Sequence, residues 1–463
     1  MEPTPLDICR SLVAKGDLDA AIQRLSEFLN GAFFHDEALF MLGACMMAKG
    51  MNGLSAVLTS AAIDSRAAKG RKFPEALINL GGAYKAERHN GIAERIWRDA
   101  LEAETVPSER AKILANLAGL YVNEGDPERA IPLCDQALKE DPQNYGAQAN
   151  RGMACLELGR WREGWRGFRA TYLSEDRNRR VYPGIPEWDG SPGKRVICWG
   201  DQGIGDEIFF ANSLPDLIAV SQKVILDCHP RLPALFQHSF PEIEVHGTRK
   251  DLSALPWLKD CGAEAAIGLA DLPLFFRNET EEWRGAPYLK APPHYRCERS
   301  GLRIGISWTG GTKRTRTDLR SLPLAAMEPI LRARPDAQWF SLQYRPPHES
   351  TSDAAREVCE LEERTGIRIS HYPGWVECFD YSRTAAFVAS LDLVITVCTT
   401  AHHLAGALGI PCWTLVPSRP SWRYQIRGER LPWYDSVRLF RQDKDGDWSG
   451  PVERIARELA DFR

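Results

Sequence analysis

Carboxylate side chains cluster where an apolar run meets a glycine turn. The stretch CWGDQGIGDEIFFANSLP, residues 198–215, reads as a buried strand, a turn and a helix, and it carries Asp201, Asp206 and Glu207. A carboxylate at such a place either caps the helix that follows or acts chemically, as a general base within hydrogen-bond reach of a substrate. The secondary-structure elements that surround this stretch are needed to choose between the cap and the general base.

Basic residues follow a glycine pair later in the chain. The pair is Gly310 and Gly311, and the cations are Lys313, Arg314, Arg316 and Arg320. Glycines let backbone N–H groups approach a phosphate, and cations offset the charge of a departing nucleotide. The cluster is a candidate phosphate site, and a solvated basic face is the alternative.

A third polar turn joins the apolar run LDLVITV to the helical stretch HLAGALG. It holds Thr399, Thr400 and His403. A helix start can bind a diphosphate through its free N–H groups and its dipole. For His403 the alternative is a buried structural histidine.

Alternating strands and helices from residue 195 onward must position these groups. The apolar runs are RVICWG, KVILDCHP, IEVHG, AAIGLADLP, LRIGISWTGG, AQWFSLQYR, IRISHYP, LDLVITV, PCWTLVP and SVRLF. Such runs, separated by helices, indicate parallel sheets covered on both faces, whose ligands bind beyond the carboxyl ends of the strands. We predict two Rossmann-like domains, 195–295 and 296–463, that face a cleft.

The first 170 residues carry a helical repeat. The clearest unit, AKILANLAGLYVNEGDPERAIPLCDQALKEDPQN at 111–144, places small residues where two helices cross and a proline at the exit. Gly43, Gly81, Ala118 and Gly152 are equivalent, at steps of 38, 37 and 34 residues. This period is typical of tetratricopeptide (TPR) repeats; an unrelated helical bundle is the alternative. We predict a TPR solenoid over 1–170 that binds a protein or peptide, followed by a polar linker at 171–194.

The composition argues against several functional classes. A net charge of −4 gives no electrostatic case for nucleic acid, and no apolar run approaches the ~20 residues of a membrane span. The 12 cysteines form no CxxC pair, and the run DKDGD at 443–447 lacks the spacing of a calcium loop, so no metal site is expected. Because MEPTPLDICR lacks a secretory signal, we expect a cytoplasmic protein with reduced thiols.

Several segments, taken in order, resemble bacterial TPR–glycosyltransferase fusions. They are PEWDG, WGDQGIGDEIFFANSLP, ISWTGGTKRTRTDLRSLPL, SLQ, VCTTAHHLAGALGIPCWTLVP, SWRY and LPWYDSVRLFRQ. The catalytic half of that family is similar to the ADP-heptose heptosyltransferases. The resemblance implies an N-terminal TPR α-solenoid followed by a GT-B glycosyltransferase unit of two Rossmann-like domains. It also implies inverting, metal-independent transfer of a sugar from a nucleotide sugar, to a protein hydroxyl that the repeats recruit.

The resemblance further implies roles for individual residues. Asp206 holds the position of the family's proposed general base, and Asp201 and Glu207 are expected to be structural. The expected donor-binding set is Gly310, Gly311, Lys313, Arg314, Arg320, Thr399, Thr400 and His403, and the expected cleft-lining set is Gln202, Gln343, Trp422 and Arg423. No cofactor is expected, since the nucleotide sugar is a co-substrate.

One position departs from the family pattern. The family usually reads Val-Asp-Thr where this chain has Val397, Cys398 and Thr399, and a thiol does not accept hydrogen bonds as a carboxylate does. Two other functions therefore stay open. One is a non-catalytic TPR scaffold with a degenerate nucleotide-binding half, and the other is a sugar-nucleotide epimerase on the same two-domain fold, in which the repeats would have no use.

Overall fold

The chain divides into two compact units, Met1–Cys155 and Leu156–Arg463. The computed structural model describes residues 3–174, 177, 179–249, 255–293, 301–311, 316–344 and 352–462. No helix in these ranges is long and apolar enough to cross a membrane.

The described residues of the first unit form helices joined by short turns. They are α1 (Pro5–Ala14), α2 (Leu18–Gly31), α3 (Asp36–Ala48), α4 (Asn52–Ala67), α5 (Pro74–Ala86), α6 (Asn90–Ala103), α7 (Pro107–Glu124), α8 (Pro127–Glu140) and α9 (Tyr145–Glu157), the last ending just inside the second unit. From α1 to α8, each helix packs against the next. The helices follow the predicted repeat, with Ala118 on α7 and Ala130 and Ala137 on α8 all fully buried.

Small residues lie where these helices cross. A Cβ atom added to Gly81 of α5 would lie 2.3 Å from Nε1 of Trp97 on α6, and that Nε1 donates to the carbonyl of Ile78 at 3.0 Å. A Cβ atom at Gly43 would lie 2.6 Å from Oγ1 of Thr59. The equivalent glycines therefore allow the close crossing that the repeat pattern predicts.

The second unit begins with a helix and a four-stranded sheet. The elements are α10 (Trp161–Phe168), β1 (Arg195–Trp199), α11 (Ile204–Phe210), α12 (Leu214–Val220), β2 (Lys223–Asp227), α13 (Pro233–Ser239), β3 (Glu244–His246), β4 (Ala265–Gly268) and α14 (Pro273–Phe276). The strand order is β3-β2-β1-β4, and all the pairings are parallel.

A six-stranded sheet forms the rest of the unit. Its elements are β5 (Arg303–Ser307), α15 (Glu328–Ala333), β6 (Gln338–Ser341), α16 (Ser352–Thr365), β7 (Ile369–His371), α17 (Pro373–Val376), α18 (Tyr381–Val388), β8 (Leu393–Val397), α19 (Thr400–Leu408), β9 (Cys412–Val416), β10 (Val437–Arg441) and α20 (Ser449–Ala460). All pairings are parallel in the order β10-β9-β8-β5-β6-β7. The order reverses between β5 and β8, as in doubly wound sheets.

The ten predicted apolar runs coincide with the ten strands of the described residues. Every residue of β5 and β8 is buried, as expected for central strands of a parallel sheet with helices on both faces.

The segment around residues 156–194 differs from its prediction. Helix α10 lies in the second compact unit, where Trp165 packs against Trp283 and donates its indole N–H to the carbonyl of Arg277 at 2.7 Å. The predicted linker is also packed: Tyr182 and Trp188 are buried, and the backbone N–H of Trp188 donates to the carbonyl of Ala266 in β4 at 2.9 Å. Through these buried aromatic residues, the segment packs with the first sheet.

Candidate functional site

The candidate residues follow strands at the points where each sheet reverses its strand order. In the first sheet that point lies between β1 and β4, and α11 follows β1. In the second sheet it lies between β5 and β8; Gly310 follows β5, and α19 follows β8. Ligands of doubly wound sheets bind at such switch points, beyond the carboxyl ends of the strands.

Helices α11 and α19 bring the two switch points together. A Cβ atom at Gly205 of α11 would lie 3.1 Å from Oγ1 and 3.3 Å from Cα of Thr400, the first residue of α19. Glycine therefore permits this close approach. Asp206, the next residue, consequently lies near the N-terminus of α19.

Asp206 makes two kinds of contact. Its Oδ2 accepts a hydrogen bond from the Gly203 N–H at 3.0 Å, which is a helix-capping contact. Its Oδ1 lies 2.8 Å from the guanidinium of Arg423, and the Asp206 side chain is 27 % exposed. Asp206 is thus both a cap and a solvent-accessible carboxylate that joins the two sheets.

Arg423 is the partner that links Asp206 to the second sheet. It also donates to Oε1 of Gln202 at 3.0 Å, and its guanidinium carbon lies 4.5 Å from the ring centre of Trp422. Its Nε is buried and has no hydrogen-bond acceptor among the described residues.

Glu207 and Asp201 support the loop after β1. The Oε2 of Glu207 accepts from the His229 N–H at 2.8 Å, and Oε1 lies 2.5 Å from Nε of Arg249. Burial raises the pKa of Glu207 to about 8, although the Arg249 charge acts in the opposite direction. Asp201 pairs with buried Arg177 at 2.8 Å. Both acids have structural contacts, as the sequence interpretation expects.

The start of α19 lies against the loop after β5. Thr399 caps the helix, because its Oγ1 accepts from the Ala401 N–H at 3.2 Å. A Cβ atom at Gly310 would lie 2.1 Å from Cγ2 of Thr399. The glycine thus lets the β5 loop reach the helix N-terminus, where backbone N–H groups and the helix dipole favour an anion.

Arg320 places a cation beside the glycine pair. Its Nε donates to the carbonyl of Gly310 at 3.2 Å, and its guanidinium packs against Gly311, where φ is +87°. A side chain at residue 311 would occupy the space of this guanidinium. Of the other predicted cations, Lys313 and Arg314 lie outside the described residues, whereas Arg316 is described and has a φ of +57°.

His403 is a neutral imidazole at neutral pH. Burial, together with the charges of Arg423 and Arg320, lowers its pKa to about 3. Its Nδ1 lies 3.2 Å from the hydroxyl oxygen of Tyr434. His403 therefore brings a hydrogen-bonding group to the site, but no charge.

Cys398, where the resemblance leads one to expect an aspartate, is a buried thiol. Its Sγ lies 3.7 Å from the carbonyl oxygen of Leu415. Burial raises the pKa of the thiol to about 12, so it carries no charge at neutral pH.

Two residues predicted to line the cleft have structural positions instead. The Oε1 of Gln343 accepts from the N–H groups of Trp308 and Thr309 at 3.2 and 3.1 Å, and its Nε2 donates to the Thr309 carbonyl at 3.1 Å. Trp422 is 4 % exposed and packs against the ring of Trp165. The amide of Gln343 therefore binds the residues that follow β5, and the indole of Trp422 is buried.

The sequence interpretation missed Arg249. Its side chain contacts Glu207 and donates to the backbone carbonyl of Gln202 at 2.9 Å. Gln202 has a φ of +61°, so Arg249 helps to hold an unfavourable backbone conformation in place. Only the fold brings Arg249 to this loop, and no local motif marks it.

The described residues contain no group of three or more histidine, cysteine, aspartate or glutamate side chains arranged to hold a metal ion.

Comparisons with known proteins identify the repeats. The tetratricopeptide repeat family model matches residues 121–164, which run from α7 to α10. Protein FlbA of Caulobacter vibrioides is 29 % identical over 380 residues, which are 76 % of this chain and 62 % of FlbA. Photosystem I assembly protein Ycf3 of a Synechococcus species is 32 % identical over 88 residues, which are 19 % of this chain and 51 % of Ycf3. The chain thus spans only part of each relative.

Solved structures that are similar to the chain cover somewhat more than a third of it. A crystal structure of MamA shares 22 % sequence identity and covers 36 % of this chain and 95 % of that protein, with a TM-score of 0.30. A thermophilic TPR protein of Thermus thermophilus shares 18 % identity and covers 38 % of this chain and 91 % of that protein, with a TM-score of 0.32. The family match thus supports TPR repeats in the N-terminal part of the chain, and the C-terminal part is a parallel α/β unit.

Proposed function

We propose that the α/β unit is a glycosyltransferase of the GT-B type, which moves a sugar from a nucleotide sugar to an acceptor hydroxyl. One observation carries the proposal: Asp206, which follows the first sheet's switch strand, pairs at 2.8 Å with Arg423, which follows β9 of the second sheet. A carboxylate and a cation thus meet beside the N-terminus of α19. Transfer from a nucleoside diphosphate needs this combination of a base and an anion site.

In the proposed reaction, Asp206 accepts the proton of the acceptor hydroxyl. The oxygen forms a bond to the anomeric carbon of the sugar while the bond from that carbon to the diphosphate oxygen breaks. A single displacement of this kind inverts the anomeric centre. The partial exposure of Asp206 leaves room for an acceptor to approach its carboxylate.

The departing nucleoside diphosphate gains negative charge as that bond breaks. The proposed stabilising groups are Arg423, Arg320 and the backbone N–H groups at the start of α19. Gly310 lets the loop after β5 approach Thr399 at the start of α19. Because these groups carry the charge, we expect transfer to continue in the presence of EDTA.

Arg423 also has a role before the reaction in this proposal. In the structure it is paired with Asp206 and Gln202. A bound diphosphate competes for the same guanidinium, which would weaken its hold on Asp206. The carboxylate then accepts a proton more readily, so donor binding prepares the base.

The acceptor is proposed to be a protein hydroxyl, bound by the TPR helices. TPR repeats generally bind polypeptides in a groove that the stacked helices form. The proposed cellular location is the cytoplasm, where a nucleotide-sugar donor is available.

A non-catalytic TPR scaffold is the second candidate function. The buried, uncharged Cys398 favours it, since the resembling enzymes have a carboxylate at that position. The capping contact of Asp206 with Gly203 would serve a scaffold equally well.

Mass spectrometry of intact proteins from cells with and without the gene tests the proposal. A transferase predicts that at least one protein loses a mass equal to a sugar residue when the gene is deleted, and regains it with the wild-type gene. If every protein keeps its mass while a TPR-dependent complex is lost, the scaffold function is correct instead.

A further inference from the structure

Arg441 ends β10 beside the loop that carries Arg423. Strand β10 runs parallel to β9, and Arg441 lies opposite Val416, the last residue of β9. After β9 the chain continues to a short 3₁₀ turn, Trp422–Tyr424, which contains Arg423. Arg441 is therefore at the carboxyl edge of the second sheet, where the loop of residues 421–428 lies.

The guanidinium of Arg441 donates to four backbone carbonyls of this loop. Its Nη1 donates to the carbonyl of Gln425 at 2.8 Å, and its Nε donates to that of Gly428 at 2.7 Å. Its Nη2 donates to the carbonyls of Tyr424 at 2.5 Å and Arg427 at 3.2 Å. Because the guanidinium is a rigid planar fork, it fixes these carbonyls relative to one another.

The loop needs this support because Gln425 has an unfavourable backbone conformation. Its φ is +52° and its ψ is 159°, a combination that is rare for residues other than glycine. Such a conformation persists only where the surrounding structure holds it. Arg441 holds the carbonyl of Gln425, and the side-chain amide of Gln425 donates to the carbonyls of Leu156 and Trp422 at 3.2 and 3.0 Å.

Gln425 lies two positions after Arg423, so its conformation bears on where that guanidinium lies. Tyr424, between the two, is 4 % exposed, and its N–H donates to the carbonyl of Ser421 at 2.9 Å. The backbone on both sides of Arg423 is thus held, and its guanidinium lies 2.8 Å from Oδ1 of Asp206. A shift of the loop would move the guanidinium away from this carboxylate.

The charge of Arg441 acts on the loop and not on a ligand. Burial lowers the pKa of Arg441 to about 10, so the side chain is charged at neutral pH. All three of its nitrogens already donate to carbonyls of the loop. A hydrogen bond from a charged donor is stronger than one between neutral groups, which suits a residue that must hold a strained turn.

We infer that Arg441 is a positioning residue of the candidate site, which holds the 421–428 loop so that Arg423 can meet both Asp206 and a diphosphate. The inference rests on the proposed function, because it takes Arg423 to be a group that binds the diphosphate of the donor. Arg441 itself contacts no substrate in this role and acts through Arg423.

Calorimetric titration of the full-length chain tests the role of Arg441. The probe is whichever diphosphate of adenosine, guanosine, uridine or cytidine the wild type binds most tightly. Arg441→Met removes every donor, and Arg441→Lys keeps the charge but brings one nitrogen to four carbonyls. Both variants should weaken binding about tenfold, as expected when Arg423 loses its hydrogen bond to a charged group. If Arg441→Met does not fold, Arg441→Lys serves for the same comparison.

Trypsin measures the hold on the loop independently of any ligand. Arg427 is exposed within the loop, and cleavage after it requires the loop to open. Cleavage there, identified by mass spectrometry, should be at least about tenfold faster in Arg441→Met than in the wild type. Arg438→Met is the matched control, because Arg438 lies on the same strand but pairs with the side chains of Glu429 and Glu458. It should leave both cleavage and nucleotide affinity unchanged.

A double variant shows whether Arg441 acts through Arg423. In the Arg423→Gln background, Arg441→Met should cause no further loss of nucleotide affinity, whereas a general loosening of the protein would add a further loss. The inference alone is overturned if Arg423→Gln weakens binding while Arg441→Met does not, if the two losses add, if Arg441→Lys binds as the wild type does, or if cleavage after Arg427 is unchanged. If the wild type binds no nucleoside diphosphate, the proposed function fails and the inference fails with it.

Discussion

The side chain of Asp206 makes a helix-capping contact and an ion pair at the same time. Its two oxygens are divided, one accepting the Gly203 N–H and the other paired with Arg423. The cap needs only a hydrogen-bond acceptor, whereas the proposed chemistry needs a base. The role of Asp206 therefore depends on its neighbours, and Arg423 is the neighbour that pairs with its carboxylate.

Arg423→Gln should weaken the binding of nucleoside diphosphates. The variant removes a guanidinium that we propose contacts the diphosphate, and a hydrogen bond between charged groups contributes about 1.5–3 kcal/mol, or roughly 10- to 100-fold in affinity. Calorimetric titration with the diphosphates of adenosine, guanosine, uridine and cytidine measures the change.

Arg419→Gln is the control for this prediction. Arg419 pairs with Asp445 at 2.9 Å and is 35 % exposed, so its loss should leave nucleotide affinity unchanged. Equal affinities in the wild type and both variants would contradict the role of Arg423.

Glu207 should make the stability of the protein depend on pH. Its pKa is raised to about 8 in the folded state, against an ordinary value near 4.3. Between these values the folded state holds more protons than the unfolded state, so the contribution of Glu207 to the free energy of unfolding falls as pH rises from about 4.3 to 8. Glu207→Gln should remove this fall.

Urea unfolding at several pH values between about 4.5 and 8.5 measures the effect, since this range spans both pKa values. The difference in unfolding free energy between Glu207→Gln and the wild type should change steadily over this range, in favour of the variant. A difference that stays constant with pH would show that Arg249 keeps Glu207 ionised throughout.

At the scale of elements, local pattern predicts most of the fold. All ten strands of the described residues follow from continuous apolar runs, because a strand buried on both faces needs an apolar residue at nearly every position. The helix crossings of the repeats follow from small residues at a fixed period. Both signals lie within short stretches of sequence.

Contacts between distant parts of the chain could not be predicted in this way. Helix α10 continues the repeat pattern, yet its tryptophans pack against Trp283, far along the chain. The positions of Gln343 and Trp422 in the interior also depend on partners elsewhere in the chain. For the same reason, the sequence predicts that Asp206 and Arg423 lie at one cleft but does not predict that they form an ion pair.

A pair of glycines in neighbouring helices tests the account of the repeats. Gly81→Ala would place a Cβ atom 2.3 Å from the Trp97 indole, whereas a Cβ atom at Gly91 of α6 meets nothing within 4 Å. Gly81→Ala should therefore destabilise the first unit by about 1–3 kcal/mol through overpacking. Gly91→Ala should stabilise it by about 0.5–1 kcal/mol, because alanine favours the helix.

Thermal unfolding of both variants, followed by circular dichroism, gives the comparison. The melting temperatures should move in opposite directions from the wild type. If Gly81→Ala melts at or above the wild-type temperature, the close crossing of α5 and α6 is not needed.

At the scale of the whole molecule, the boundary between the two units has a measurable consequence. A chain that begins at residue 156 keeps α10, whereas a chain that begins at residue 171 loses Trp161 and Trp165, which pack against Trp283. Truncating a large buried aromatic side chain typically costs about 3–5 kcal/mol. The shorter chain should therefore unfold at clearly lower urea concentration, or fail to fold.

The chain that begins at residue 156 also tests the division of work between the units. It should bind nucleoside diphosphates as the full-length chain does, but should not modify the protein acceptor that the repeats recruit. Unchanged modification of that acceptor would contradict the recruiting role of the TPR helices, and equal stability of the two truncated chains would contradict the place of α10.

The Asp206→Asn variant tests the central claim most directly. Asparagine keeps a side-chain oxygen that can accept the Gly203 N–H, and a partly exposed ion pair contributes little to stability, so the variant should keep nearly the wild-type melting temperature. Because Asp206 no longer competes for Arg423, donor affinity should equal or exceed that of the wild type. It lacks a base, so transfer to the acceptor identified by mass spectrometry, measured with saturating donor, should fall about 10²- to 10⁴-fold. Asp126→Asn, which changes a capping carboxylate of α8 that accepts from the Arg129 N–H at 3.2 Å, should transfer normally. A transfer rate for Asp206→Asn close to that of the wild type would contradict the proposed base.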